Sequence, residues 1–313
     1  MGRGDVIIIE RWRDLPDSLT GASVAMGNFD GVHLGHAHVI DHARQSAEAL
    51  GAPLGVVTFE PHPRRFLNPT GAPFALSSQA QRGEAFSALG VQRLYQIPFT
   101  ADLAAMSAQA FVRDVLHLGL KVRSVSVGFD FNFGQGRSGS AASLKSDAEA
   151  LGIAVSIADP VVGLTDAKCS SSAIRRAVHE GRPEEAAAML GRPFAIRGEV
   201  VHGEKIGRTI GFPTANIQFG DYVRPAEGIY AAKATLPDGR RFDAAAYVGR
   251  RPTINGLDER LEVNLFDFDE DLYGQELDIQ FIAFLRGDMK FASLEALKGQ
   301  IGSDCAEARR VLA

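Results

Sequence analysis

The sequence predicts an α/β half followed by an all-β half with a helical tail. Up to about residue 190, apolar runs alternate with Ala-rich amphipathic stretches of helix length. After LGRPF at 190–194 the apolar runs become short and closely spaced, and from Ser293 onward helical spacing returns. A chain of 313 residues is long for one domain and suits two of roughly 150.

In the first half, strand-like runs stand at 24–26 (VAM), 54–59 (LGVVTF), 91–97, 122–128 (VRSVSVG) and 153–157. Helix-like stretches at 35–50, 79–89, 106–118 and 140–151 separate them. Strands spaced by helices imply crossover connections and a parallel sheet covered on both faces. Ligands bind outside the carboxyl ends of such strands, which directs attention to the loops after 24–26 and 122–128. Residues 171–190 read as one or two helices broken at EGRP, 180–183. Five strands are then expected at 195–202, 228–236, 241–249, 260–268 and 276–285, with a hairpin at PDG, 237–239. Short strands in succession indicate an antiparallel sheet or barrel.

The composition is that of an ordinary globular protein, 45% hydrophobic and 23% charged. Cys169 and Cys305 have no Cys or His partner at metal-ligand spacing, so free thiols in a reducing, cytoplasmic setting are expected. A net charge of -5 lacks the basic footprint of a nucleic-acid partner. The run VIII at 6–9 is followed at once by Glu10, Arg11 and Arg13, unlike a signal peptide, and no segment approaches a membrane span. Oligomeric state is left open, and a homo-oligomer is compatible with the sequence.

GNFDGVHLGH at 27–36 follows an expected strand and opens an expected helix. Gly27 and Gly31 allow a tight turn and close approach of a ligand. A helix beginning near Leu34 offers free amides and a favourable dipole to a phosphate. His33 and His36, three apart, lie on one side of that helix start and can donate to charge developing in a transition state. Zinc binding by the histidines lacks a third ligand, and His38 and His42 fall outside the pattern.

A second unusual string, GRTIGFPTANI at 207–217, has Gly207 and Gly211 for a tight loop and Pro213 to fix the chain before Thr214 and Asn216. The Thr214 hydroxyl and the Asn216 amide oxygen are hard ligands of the type Mg²⁺ accepts beside water and substrate phosphates. A strand with an ordinary Gly-Pro turn is the competing reading of that string alone.

GNFDGVHLGH, TFEPHPRRF at 58–66, VGFDFNFGQGRSG at 127–139 and CSSSAIRRAV at 169–178 together resemble the prokaryotic FAD synthetase module of the nucleotidyltransferase superfamily. That resemblance implies a Rossmann-like fold in which His33 and His36 hold ATP phosphates and Gly27, Asn28, Phe29 and Asp30 line the same loop. It implies that Ser171, Ser172 and Arg175 form a second ATP motif and that Asp130 faces the flavin. His62 and Arg64 either reach the site or serve the loop. The PTAN string, with GIY at 228–230, VGRRPT at 248–253 and LEVNLFDFDEDLYG at 261–274, resembles the riboflavin kinase family. This second resemblance implies a β-barrel with Glu262 as the base for the riboflavin 5′-hydroxyl, ATP at Gly207, Thr214 and Asn216, and Mg²⁺ on the last two. The cluster Asp267, Asp269, Glu270 and Asp271 reads as a solvated turn, and Arg286 is open between nucleotide and surface. Two departures, Tyr247 where Asn is common and Asn264 where His or Thr is frequent, are expected not to touch the motif residues. Together the resemblances imply an adenylyltransferase domain at 1–182 and a kinase domain at 183–313, which use ATP to convert riboflavin to FMN and FMN to FAD.

Overall fold

The computed structural model describes residues 6–161, 169–203, 211–253 and 256–313, the side chains of 251–258 apart. Gly207 therefore lies outside the described residues. The chain divides into two compact units, Met1–Ala72 with Gln79–Cys169 and Pro73–Ser78 with Ser170–Ala313.

The first unit is built on a six-stranded sheet of β1 (Ile7–Ile9), β2 (Ser23–Met26), β3 (Leu54–Glu60), β4 (Arg93–Pro98), β5 (Ser124–Gly128) and, later in the chain, β8 (Ala154–Ala158). Every pairing in it is parallel, in the order β1-β4-β3-β2-β5-β8. Strand alternation supplies two cores: Val24 and Met26 of β2 pack into one, while Ala25 between them packs into the other. The second of these cores also takes Val39, Ile40, Ala43 and Ala47 of helix α1 (Leu34–Leu50), a four-residue rhythm that buries one helix face. Helix α1 ends where Gly51 adopts φ 57°, with its N–H on the Ala47 and Glu48 carbonyls. The remaining helices are α2 (Pro63–Leu67), α3 (Gln79–Ala88), α4 (Ala101–Ala104), α5 (Ala108–Ala110, continued by a π-helical turn Phe111–Gly119) and α6 (Ala141–Glu149). A small ribbon, β6 (Asn132–Phe133) with β7 (Gly139–Ser140), follows β5.

From β2 the chain moves to β3 on one side, and later to β5 on the other. The order of strands thus reverses at β2 and β5, and the crevice at their carboxyl ends receives the loops starting at Gly27 and Phe129.

The second unit begins with α7 (Ser171–His179) and α8 (Pro183–Leu190). It continues as a closed antiparallel barrel of β9 (Phe194–Val201), β10 (Ala215–Ile217), β11 (Gly228–Thr235), β12 (Arg241–Thr253), β13 (Gly256–Leu265) and β14 (Glu276–Gly287). Pairing of β9 with β10 closes the ring, leaving no open edge. Gly198 makes this closure possible, since a Cβ there would lie 2.3 Å from the Gln218 carbonyl oxygen. The expected hairpin forms, with Gly239 at φ 87° donating to the Leu236 carbonyl. The terminal helix α9 (Leu294–Leu312) packs Ala308, Cys305, Val311 and Leu312 against Ala231, Ala245, Ala283 and Phe266 of the barrel region. Residues 73–78 join this unit: the Phe74 and Ala75 amides donate to the Asp221 carbonyl, and the Val223 amide donates to that of Ala75.

Three short strands, β1, β6 and β7, have no counterpart in the sequence reading, and β10 is there only as the competing reading of the 207–217 string. The Ile7–Ile9 run is an edge strand of the sheet, and β10, the sixth barrel strand, is only three residues long after Pro213.

Candidate functional sites

The loop leaving β2 is anchored where it starts. The Gly27 amide donates to the Val57 carbonyl, and Thr58 Oγ1 donates to the Asn28 carbonyl at 3.3 Å. Beyond these anchors Phe29, Gly31 and Val32 all have positive φ (51°, 85° and 40°), which is costly for a β-branched valine and concentrates strain at the turn. Phe29 is buried against Phe86 and meets His36 edge-on at 5.1 Å, so its ring serves this site by supporting the imidazole. Asp30 is buried in the loop and Asn28 is exposed on it.

His33 is the N-cap of α1. Its Nδ1 accepts the His36 backbone N–H at 3.3 Å, and the two rings stack with centroids 3.6 Å apart. An Nδ1 that accepts leaves the proton of neutral His33 on Nε2, so the cap sets the tautomer. Gly35 is required between the histidines: a Cβ there would crowd the His33 ring at 3.1 Å and the Cys169 carbonyl at 3.2 Å. Two stacked imidazoles at the start of a 17-residue helix, beside the strand reversal, form an anion site able to donate to phosphate oxygens. Asp130 is exposed on the loop after β5, at the same end of the sheet, and its carbonyl accepts from Asn132 Nδ2 at 2.7 Å. His62 has a local duty, since its Nδ1 caps α2 by accepting the Arg64 amide at 3.0 Å.

Ser171, Ser172 and Arg175 belong to the second unit. The Ser170 hydroxyl caps α7 by accepting the Ala173 amide, which places Ser171 and Ser172 in the first helical turn. Arg175 Nε donates to the Phe74 carbonyl at 2.7 Å, and its guanidinium lies 5.4 Å over the Phe74 ring. Phe74 gave no motif signal; it is met only because the 73–78 segment returns to this unit.

On the barrel, inward Ala215 and Ile217 alternate with outward Thr214 and Asn216, and inward Leu261 and Val263 with outward Glu262 and Asn264. Asn216 pairs directly with Glu262 across β10 and β13. Thr214 Oγ1 donates to Glu262 Oε2 at 3.4 Å, and Arg260 Nη1 lies 3.6 Å from Glu262 Oε1. The structure thus brings together three residues that are 48 positions apart at the extremes. Thr214 and Asn216 supply two neutral oxygens beside a carboxylate, a hard donor set that suits Mg²⁺ carried with nucleotide phosphates. Gly203 is a further participant: a Cβ there would meet Asn216 Nδ2 at 2.3 Å, so the carboxamide rests on the bare backbone.

Three expectations change. Asn264 does touch the PTAN string, donating from Nδ2 to the Pro213 carbonyl at 2.6 Å. Tyr247 is the direct cross-strand partner of Glu262, and burial together with Asp288, Glu262 and Glu227 pushes its phenol up. The Tyr247 ring lies over Gly249, where a Cβ would meet its hydroxyl at 2.1 Å. Arg286, left open by the sequence, forms a two-pronged ion pair with Asp304 of α9 at 2.9 and 2.6 Å. Pairing with Asp304 raises the Arg286 guanidinium. The acidic turn is solvated as expected, with Asp267 held by Arg309 and Glu270 by Arg240.

A parallel α/β unit with two stacked imidazoles at a helix start, joined to a barrel with a hydroxyl, carboxamide and carboxylate on its outer face, has the makings of a two-module transferase. Family models match both parts: FAD synthetase over residues 15–173 and riboflavin kinase over 190–312. The bifunctional riboflavin kinase/FMN adenylyltransferase of Haemophilus influenzae is 40% identical over 292 residues, covering 93% of this chain and 94% of that one. The protein of the same name from Bacillus subtilis is 37% identical over 292 residues, 92% of this chain and 91% of the other. The chain belongs to the bifunctional riboflavin kinase/FMN adenylyltransferase family. A crystal structure titled as a macrolide-efflux protein from Streptococcus pneumoniae is similar at a TM-score of 0.86 and 32% identity, covering 97% of this chain and 98% of that one. Among the described residues here, no helix is long and apolar enough to cross a membrane.

Proposed function

We propose that this chain carries out both reactions of its family: ATP phosphorylates riboflavin to FMN with release of ADP, and a second ATP adenylylates FMN to FAD with release of pyrophosphate. The observation that carries the reading is Thr214, Asn216 and Glu262 meeting on the outer face of the barrel. A primary alcohol is a poor nucleophile, so phosphorylation needs a base; Glu262 takes the 5′-hydroxyl proton as the oxygen attacks the γ-phosphorus. Thr214 and Asn216 would hold Mg²⁺, which supplies neutralisation of phosphate charge when bound.

Adenylylation has different needs. The FMN phosphate is already ionised, its second pKa being about 6, and requires no base. Its oxygen attacks the α-phosphorus, and the bond to pyrophosphate breaks. His33 and His36 donate to the phosphate oxygens on which charge grows, with Asn28 and Asp30 on the same loop. Ser171, Ser172 and Arg175 are assigned to the same nucleotide, and Asp130 to the flavin. We retain 1–182 and 183–313 as the functional division, although α7, which bears Arg175, packs with the barrel unit. The two free thiols fit a cytoplasmic setting.

The direct test is incubation of purified protein with riboflavin and Mg-ATP, following products by chromatography. FMN should appear first and FAD after it. Formation of neither product would overturn the assignment, and FMN alone would restrict it to the kinase.

A further inference from the structure

We infer that Asn264 is a positioning residue for the kinase reaction, acting as the clamp that sets Thr214 against Glu262. This inference rests on the assignment of Thr214 to the nucleotide-bound Mg²⁺.

Asn264 and Glu262 stand two apart on β13 and share its outward face, with buried Val263 between them. The Asn264 carboxamide uses both ends. Nδ2 donates to the Pro213 carbonyl at 2.6 Å, one residue before Thr214, and Oδ1 accepts from Cys305 Sγ of α9 at 3.7 Å. A cavity of about 600 Å³ lies beside it, lined by the 211–213 loop, the 264–269 turn and α9. The loop therefore borders open space, and the Asn264 contact on its Pro213 carbonyl secures it there. Pro213 has no N–H, so its carbonyl is the main-chain hydrogen-bonding group through which this residue can be held. Fixing that carbonyl fixes the peptide plane that leads into Thr214. Thr214 Oγ1 then reaches Glu262 at 3.4 Å. A threonine hydroxyl can serve as donor to a carboxylate or as ligand to a cation, and small rotations of the 213–214 peptide decide whether its oxygen stands where a metal-bound triphosphate needs it. The amide plane of Asn264 thus connects α9 with the loop that leads into Thr214.

The test compares substitutions in the full-length protein, with riboflavin phosphorylation measured across Mg-ATP and free Mg²⁺ concentrations. Asn264→Asp keeps size and shape but places an acceptor against the Pro213 carbonyl. It should raise KM for Mg-ATP by roughly fivefold or more, the scale of one lost hydrogen bond, and raise the Mg²⁺ requirement with it. Asn264→Leu should do the same. Asn264→His restores a donor and should recover most of the wild-type KM. Melting temperature and FMN adenylylation should stay near wild type in all three. Unchanged KM in both Asp and Leu variants, or equal impairment in His, would overturn the clamp. A parallel Thr214→Val variant separates the two levels: if it leaves Mg-ATP handling intact, the assignment of Thr214 itself falls. If Thr214→Val is impaired while Asn264→Asp is normal, only the clamp does.

Discussion

His33 caps a helix and, in the proposed reaction, also donates to phosphate, two roles that a single substitution would confuse. Its Nδ1 caps α1, and its Nε2–H is directed by that cap toward donation. His33→Ala should lower stability by about 1 kcal/mol through the lost cap as well as impairing adenylylation. His33→Asn retains a capping oxygen, so denaturant melts should return to wild type while FAD formation stays low. His36→Ala leaves the cap acceptor in place and should reduce adenylylation by roughly 10²–10³-fold, so that FMN accumulates. Glu262→Gln is the converse. Riboflavin phosphorylation should fall by roughly 10²–10⁴-fold, while supplied FMN is still converted to FAD. Loss of both reactions from either His36→Ala or Glu262→Gln, in folded protein, would contradict separate sites. The histidines and the PTAN residues were legible because each sits in a dense string. Gly203 and Phe74 were not, since their parts depend on contacts with Asn216 and Arg175 far along the chain.

At the level of elements, the apolar docking of α9 is reinforced by a largely buried charged pair. Asp304 is almost wholly buried, Arg286 is four-fifths buried, and Gln300 Nε2 also donates to Asp304. Asp304→Ala would strand the guanidinium and should cost about 3 kcal/mol, measurable as a shift in urea midpoint. Combining it with Arg286→Met should recover much of that loss. The loop containing Gly203 makes the opposite prediction. Gly203→Ala displaces only the end of a flexible carboxamide, so melting should barely change while KM for Mg-ATP in the kinase reaction rises. Strand and helix periodicity made β2 to β5 and α1 readable in advance. It left β10 as no more than a competing reading, three residues being too few to show alternation, and missed the edge strand β1, whose two exposed isoleucines resemble an unattached apolar run.

At the scale of the molecule, the alternation of α and β followed by consecutive strands announced two architectures with opposite sheet types. What it left hidden was the return of residues 73–78 to the second unit. That pairing joins positions about 150 apart and leaves no periodic trace. The barrel's inside-outside alternation has an evolutionary consequence. Ala215, Ile217, Leu261 and Val263 point inward and maintain the fold, whereas Thr214, Asn216, Glu262 and Asn264 point outward and meet the nucleotide loop. Neighbouring codons therefore answer to different selective pressures, one for persistence of the protein and one for its kinetics. A lineage can retune rate or nucleotide affinity at the outward positions of β13 other than Glu262, which the proposed reaction itself fixes. Asn264, which holds the Pro213 carbonyl, is such a position.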